Sequence, residues 1–316
     1  MSVDRVSTAA QAQYFLTQIQ QAGSALDNTQ AQIASGNKAN TYAGFGDNAQ
    51  VLTASIAVNA RNTAYQNATS LAVTQTDMQD TQLTSLSSLA AQLRKAVSDS
   101  VANNDGTTLM SQAQSIFEQA TSILNSKDAN GDYIYSGGKT DVPPVTVNSL
   151  SALAALPSVS SAFANGTDKK SVQVADGVSV SYGVTASDAA TGLMQSLSAI
   201  AQFDTSSSGN FSATQNLTAA QSTYLTGSIA STATVDSDLN AVVAQNGYVY
   251  NRLTDAQTQQ ASMGTLYKGF VSSLQDTNMA QAATQLSLNQ TQLQAALAVT
   301  SQLGQLSLLN YLPAGG

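Results

Sequence analysis

Residues 276–312 read DTNMAQAATQLSLNQTQLQAALAVTSQLGQLSLLNYL. Leu286, Leu293, Leu297, Leu303, Leu306 and Leu309 fall at mostly helical spacings, after Phe270 and Leu274. Gln, Ser, Thr, Asn and Ala fill the remaining positions. That is an amphipathic helix with a neutral polar back. Asp276 is the only charged residue from 269 to 316. A solvated coiled coil normally sets Glu and Lys beside its seam, and this segment has none there.

The opposite end of the chain has the same texture. Ile19, Leu26 and Ile33 recur every seventh residue, with Leu16 and Gly23 on the same face. From 6 to 37 the only charge is Asp27. Repeated like charges would repel if copies of one chain packed on these faces. An ordinary helical hairpin with a Gln-rich surface is one reading of these faces; packing against copies of the same chain is the favoured one.

Between the two ends lies a symmetrical plan. Residues 41–48, TYAGFGDN, form a loop. Val51, Leu52, Ile56, Leu71, Met78, Leu86, Leu89, Leu93 and Val97 then predict one helix of about 50 residues, closing near Asn103-Asn104-Asp105-Gly106. A further helix is expected from Thr108 to Asn125. Residues 128–138 are rich in turn formers, and Pro143-Pro144 excludes a helix. Val172 and Val174 alternate before Asp176-Gly177, and Val178, Val180, Tyr182 and Val184 alternate after it, which is a hairpin signature. Leu193, Leu197 and Ile200 resume a helical pattern. A last long helical region runs through Ile229, Leu239, Val243, Leu253 and Leu266.

The fold expected is mainly α: a long antiparallel helical bundle or coiled coil formed by both ends of the chain, with a small β-containing insertion domain. Its expected parts are terminal helices at 1–42 and 274–316, a helical bundle at 43–140 and 191–273, and a β-rich outer insertion at 141–190.

Composition narrows the chemistry. The chain has 316 residues and no His, Cys or Trp. A Ser-His-Asp triad, a cysteine nucleophile and a Cys/His zinc site are therefore excluded, as are disulfides. The net charge of -8, with 11 basic residues, leaves no footprint for nucleic acid or for an anionic membrane. No apolar run reaches the ~18 residues of a membrane span. The N-terminus lacks the basic and apolar stretches of a secretory signal.

Four motifs invite other readings. SGGKT at 136–140 ends like a phosphate loop, but Tyr133 stands where the first glycine belongs. DANGD at 128–132 resembles the start of a calcium loop, but Tyr133 and Lys139 replace its Gly and Glu. The acid pairs Asp236/Asp238 and Asp77/Asp80, and Glu118, read as solvated helix surface. Tyr133/Tyr135 and Tyr248/Tyr250 are spaced to stack on sugars, and packing is the favoured reading. No cofactor, metal or catalytic residue is expected, and the chain reads as a non-enzyme.

The C-terminal run resembles the last helix of the flagellin family, ending in Leu306-Ser307-Leu308-Leu309-Asn310-Tyr311-Leu312. NGDYIYSGGKTDVPPV at 130–145 is similar to a stretch of that family's hook–filament junction branch. Ile33-Ala34-Ser35-Gly36 with Asn37-Lys38-Ala39-Asn40 is similar to an N-terminal family element. Ala39 departs from its basic position and Gly46-Asp47-Asn48 from its usual acidic follow-on.

The resemblance implies a secreted, extracellular structural protein of the bacterial flagellum. It implies unfolded export, assembly at the hook tip, and terminal helices that pack on their neighbours. Partners implied are copies of itself, adjoining hook-associated and flagellin subunits, the export apparatus and an export chaperone. The assembly interface expected is Leu16, Ile19, Leu26, Ile33, Leu286, Leu293, Leu297, Leu303, Leu306 and Leu309. A filament flagellin and a flagellin-like surface adhesin or polysaccharide binder are the alternatives. The ends, lacking charged i,i+4 pairs and costly to nucleate alone, are expected to order only on assembly.

Overall fold

α1 (Val3–Ser35) leads through a short 3-10 turn at Tyr42–Phe45 into α2 (Asn48–Asn103). α3 (Leu109–Leu124) and α4 (Leu150–Ala154) follow. β1 (Lys170–Ala175) and β2 (Val178–Tyr182) form an antiparallel hairpin. α5 (Ala186–Asp204), α6 (Ala219–Gln275) and α7 (Met279–Leu309) complete the chain. This computed structural model describes residues 3–213 and 215–309, without the side chains of 3–9, 12 and 303–309. The mainly helical architecture with a small two-stranded insertion is the one the sequence leads one to expect.

The chain divides into two compact units, one of residues 1–61 and 263–316, the other of residues 62–262. In the second unit, buried positions of α2 recur every seventh residue: Asn62, Thr69, Thr76, Leu83, Ala90 and Val97. Those of α6 do the same: Leu225, Thr232, Leu239, Asn246, Leu253 and Gln260. A strict seven-residue repeat keeps one seam facing its partner. The pairing is antiparallel. Asn62 Nδ2 donates to the Gln260 carbonyl at 2.9 Å, Asn246 Nδ2 to the Thr76 carbonyl at 3.1 Å, and Ser87 Oγ to Asn240 Oδ1 at 2.8 Å.

One stretch of that seam is apolar and the other polar. Around Leu83, Leu86, Leu93 and Val97 the apolar stretch is covered by α3 and α5, whose Ile116, Phe117, Leu193 and Leu197 are buried with it. The polar stretch, Asn62 to Gln79, is covered by the hairpin. Val172, Val174, Val180 and Tyr182 pack with Ala72 of α2 and Leu253 of α6. Gln260 Nε2 donates to Thr69 Oγ1 at 3.0 Å and to the Val174 carbonyl at 2.7 Å, tying both helices to β1. The alternating strands thus bury one face on the helix pair. The hairpin turn falls at Asp176-Gly177, with Gly177 at φ 73°. Within the 141–190 insertion these two strands are the only ones among the described residues, and α4 lies there too.

Helix ends follow their local chemistry. α2 stops where Asn104 adopts φ 54°. The Asp105 N–H then bonds the Ser100 carbonyl at 3.0 Å and the Asn104 N–H the Val101 carbonyl at 3.2 Å. That pair of bonds is a Schellman closure. α5 begins at Ala186 because Thr185 Oγ1 accepts the Asp188 N–H at 3.2 Å, an N-cap that extends the helix ahead of the Leu193 pattern.

Candidate functional site

The unit formed by residues 1–61 and 263–316 holds the predicted interface residues. α1 and α7 pack against each other within it. Asn37 bridges Asp276 in antiparallel fashion, and Asn289 reaches Ala25 and Thr29, so the two helices run in opposite directions. The ends are therefore folded as a helix pair here, in contrast to the expectation that each lacks order before assembly. Pairing supplies the contacts that nucleation of a lone helix lacks.

The contact between them has a polar centre. Thr29 and Asn289 are buried. Asn289 Nδ2 donates to Thr29 Oγ1 at 2.9 Å and to the Ala25 carbonyl at 3.1 Å, and Asn289 Oδ1 accepts from Gln285 Nε2 at 2.9 Å. One buried, satisfied amide in an apolar seam fixes register, because any slip leaves it unpaired. Sequence reasoning passed over both residues, since a Thr and an Asn carry no signal in helices already full of them.

A second link joins the end of α1 to the joint between α6 and α7. α1 terminates at Gly36, whose φ of 73° suits a residue without Cβ. The Gly36 N–H bonds back to the Gln32 carbonyl at 2.9 Å. The Thr277 N–H donates to the Gly36 carbonyl at 2.8 Å, and the Lys38 N–H to the Gln275 carbonyl at 2.7 Å. Lys38 Nζ donates to the Ser273 carbonyl at 2.5 Å. Asn278 then caps α7, its Oδ1 accepting the N–H groups of Ala280 and Gln281. The SGNK element thus acts as a clasp between the two ends of the chain.

The predicted interface residues divide by exposure. Ile19, Leu26, Ile33, Leu286 and Leu293 are half-buried. Leu16 and Leu297 are 54% and 51% exposed. The side chains of Leu303, Leu306 and Leu309 lie outside the described residues. Further apolar side chains of the same unit are uncovered: Val51, Ile56, Met263, Leu266, Phe270 and Leu288. Met263, Leu266 and Phe270 follow a helical spacing along α6. In contrast, the only buried apolar residues of this unit among the described side chains are Leu52 and Ala282. This unit leaves most of its large apolar side chains at least partly exposed, whereas the unit of residues 62–262 holds an extensive buried core.

The competing motifs resolve structurally. Asp128 Oδ1 accepts the N–H groups of Asn130 at 2.8 Å and Asp132 at 3.1 Å, which makes DANGD a turn after α3. Among the described residues no group of three or more Asp or Glu is placed to hold a metal ion. In SGGKT, Gly137 takes φ 62° against the Gly166 and Asp168 carbonyls, and no helix opens after Lys139. Tyr135 is buried in the core, and Lys127 Nζ lies 4.5 Å from the Tyr133 ring centre. Tyr248 departs from the packing expectation. It is 58% exposed, because a spacing of two on a helix sends it and Tyr250 to different faces. Asp236 pairs with Arg94 at 3.5 Å. No helix among the described residues is long and apolar enough to cross a membrane.

Residues 228–312 match the family model of the bacterial flagellin C-terminal helical region. That segment of the chain is similar to the C-terminal helices of bacterial flagellins. Its fold is similar to that of a Vibrio parahaemolyticus protein described as a flagellar hook-associated protein, with 17% identity and a TM-score of 0.56 over 71% of this chain and 96% of that one. It is also similar to FlgL of Bacillus cereus, with 12% identity and a TM-score of 0.50 over 69% of this chain and 96% of that one. No curated protein sequence matches the chain. The flagellin-like segment contains most of α6 and all of α7, so the match includes the exposed Met263, Leu266 and Phe270 and the buried Asn289.

Proposed function

We propose that this chain is a secreted structural subunit of the bacterial flagellum that joins hook to filament by self-assembly of its terminal helices. The observation that carries the reading is the uncovered apolar surface of the unit containing both chain ends. Burying a Leu or Ile contributes about 1.5–3 kcal/mol, and exposed apolar stripes of this extent mark interaction surfaces. The near-absence of charge on α1 and α7 fits packing of identical copies. In this reading residues 1–42 and 274–316 form the inner assembly domain, 43–140 and 191–273 the bundle, and 141–190 the outer insertion. Leu16, Ile19, Leu26, Ile33, Leu286, Leu293, Leu297, Leu303, Leu306 and Leu309 supply contacts to neighbours. Those neighbours are copies of the chain and the adjoining hook-associated and flagellin subunits. Export in an unfolded state, with a chaperone, suits a chain without cysteine and so without disulfides.

Immunogold labelling of whole cells tests the reading. Label confined to the boundary of hook and filament supports it. Label along the whole filament identifies a filament flagellin, and label over the cell body an adhesin.

A further inference from the structure

Three Asn-Gly pairs occur in the sequence: Asn130-Gly131, Asn165-Gly166 and Asn246-Gly247. At such a pair the glycine backbone nitrogen can attack the asparagine side-chain carbonyl carbon. The new N–C bond closes a five-membered succinimide, the C–NH2 bond breaks, and ammonia leaves with the amide proton. Water then opens the ring at either carbonyl to give aspartate or isoaspartate. Glycine is the favoured successor because no Cβ obstructs the approach. Reaction needs a side chain free to rotate and a backbone free to leave its hydrogen bonds.

The structure separates the three pairs. Asn246 lies inside α6 at 2% exposure, its Nδ2 donating to the Thr76 carbonyl at 3.1 Å and to Asp80 Oδ1 at 3.3 Å. Asn165 is half-buried. Its Nδ2 donates to the Gly166 carbonyl at 2.9 Å and Ser187 Oγ at 3.0 Å, while its Oδ1 accepts the Ser187 N–H at 3.2 Å. That three-point hold restrains the side chain, and the Gly166 N–H is itself engaged by the Ser136 carbonyl at 2.8 Å. Asn130 is exposed in a turn, and no hydrogen bond of its side chain is formed among the described residues. Gly131 stands at φ 87° with open space around it. The restraints on the pair are backbone ones at the surface: the Asn130 N–H donates to Asp128 Oδ1 at 2.8 Å and the Gly131 N–H to the Asp128 carbonyl at 3.0 Å.

We propose that Asn130 is a site of spontaneous deamidation in the folded protein, giving aspartate and isoaspartate at that position. The product carries a third carboxylate beside Asp128 and Asp132. Its formal net charge falls one unit below the -8 of the unmodified chain. Isoaspartate also lengthens the backbone within the clip that bridges Lys127 to Tyr133. Attack requires the deprotonated glycine nitrogen, so conversion quickens as pH rises. The inference rests on the turn alone and is independent of the function proposed above.

The test uses the full-length folded chain, aged at physiological temperature in neutral and in mildly alkaline buffer. Trypsin cuts after Lys127, Lys139, Lys169, Lys170 and Arg252, so peptides 128–139, 140–169 and 171–252 each hold one of the pairs. The mass gain of an amide-to-acid conversion is expected first in 128–139. The other two pairs are expected to convert at least about tenfold more slowly, because each must first open buried hydrogen bonds. The same chain in urea is expected to convert at all three pairs at similar rates, and Asn130→Gln to remove the gain from 128–139. No gain in 128–139, or equal rates at the three pairs in the folded chain, overturns the proposal.

Discussion

Leu297→Asp separates folding from assembly. Leu297 is 51% exposed on α7, so the folded chain gains little from it. Replacing an exposed side chain shifts stability by only about 0.5 kcal/mol. Assembly would cover the exposed half, which contributes about 1 kcal/mol of the 1.5–3 kcal/mol for a whole Leu. The aspartate forfeits that term. It also brings an unpaired carboxylate into an apolar contact, at a further cost of several kcal/mol. No Lys or Arg lies between 6 and 37 or between 269 and 316 to neutralise it. A total near 4 kcal/mol weakens each contact about a thousandfold. Leu253→Asp is the opposing control: Leu253 is 0% exposed under the hairpin, and its loss should unfold the unit of residues 62–262. The assay is complementation of a deletion strain on swim agar, with circular dichroism melts of each purified variant. Leu297→Asp should melt like the parent and fail to restore swimming. Full swimming by Leu297→Asp refutes the reasoning.

Tyr135→Phe should stabilise the chain by about 1 kcal/mol, because the Tyr135 hydroxyl is buried without a hydrogen-bond partner; a lower urea midpoint would reveal a partner. The same burial pushes the Tyr135 phenol well above the ordinary tyrosine range. Asn289→Ala removes two hydrogen bonds between α1 and α7 and should loosen that pair by about 1–3 kcal/mol. Hydrogen exchange should quicken in α1 and α7 and stay unchanged in residues 62–262; equal quickening in both contradicts the register role. Asp105 accepts the backbone N–H and then the hydroxyl of Thr107, which hold its carboxyl below the usual 3.8. A lowered folded-state pKa gives a contribution present above the ordinary carboxylate range and lost as pH falls through the lowered value. A nuclear magnetic resonance titration of Asp105 should therefore show a depressed pKa that Thr107→Val raises toward normal.

The long helices were legible because their apolar residues recur with helical period, and the hairpin because alternation flanks Asp176-Gly177. The end of α2 was legible from Asn103-Asn104-Asp105-Gly106, since Asn tolerates the left-handed conformation that Asn104 adopts. Other features were hidden for physical reasons. α4 is a single short turn of helix whose Ser149 cap looks like any loop serine. The start of α5 lay in Thr185-Ala186-Ser187-Asp188, a cap signal that precedes the apolar pattern. The polar stretch of the α2–α6 seam broke the hydrophobic period, because Asn62, Thr69, Thr76, Asn246 and Gln260 occupy core positions. On the apolar faces of α1 and α7, periodicity picked out Leu16 through Leu297 but could not tell half-buried from uncovered. That distinction depends on which faces α1 and α7 give each other.

The central claim is that filaments grow on this subunit. Its most direct test is a deletion strain viewed by electron microscopy, with the culture supernatant blotted for flagellin. The account predicts hooks without filaments and abundant full-length flagellin shed into the medium. Intact filaments on swimming cells would contradict it.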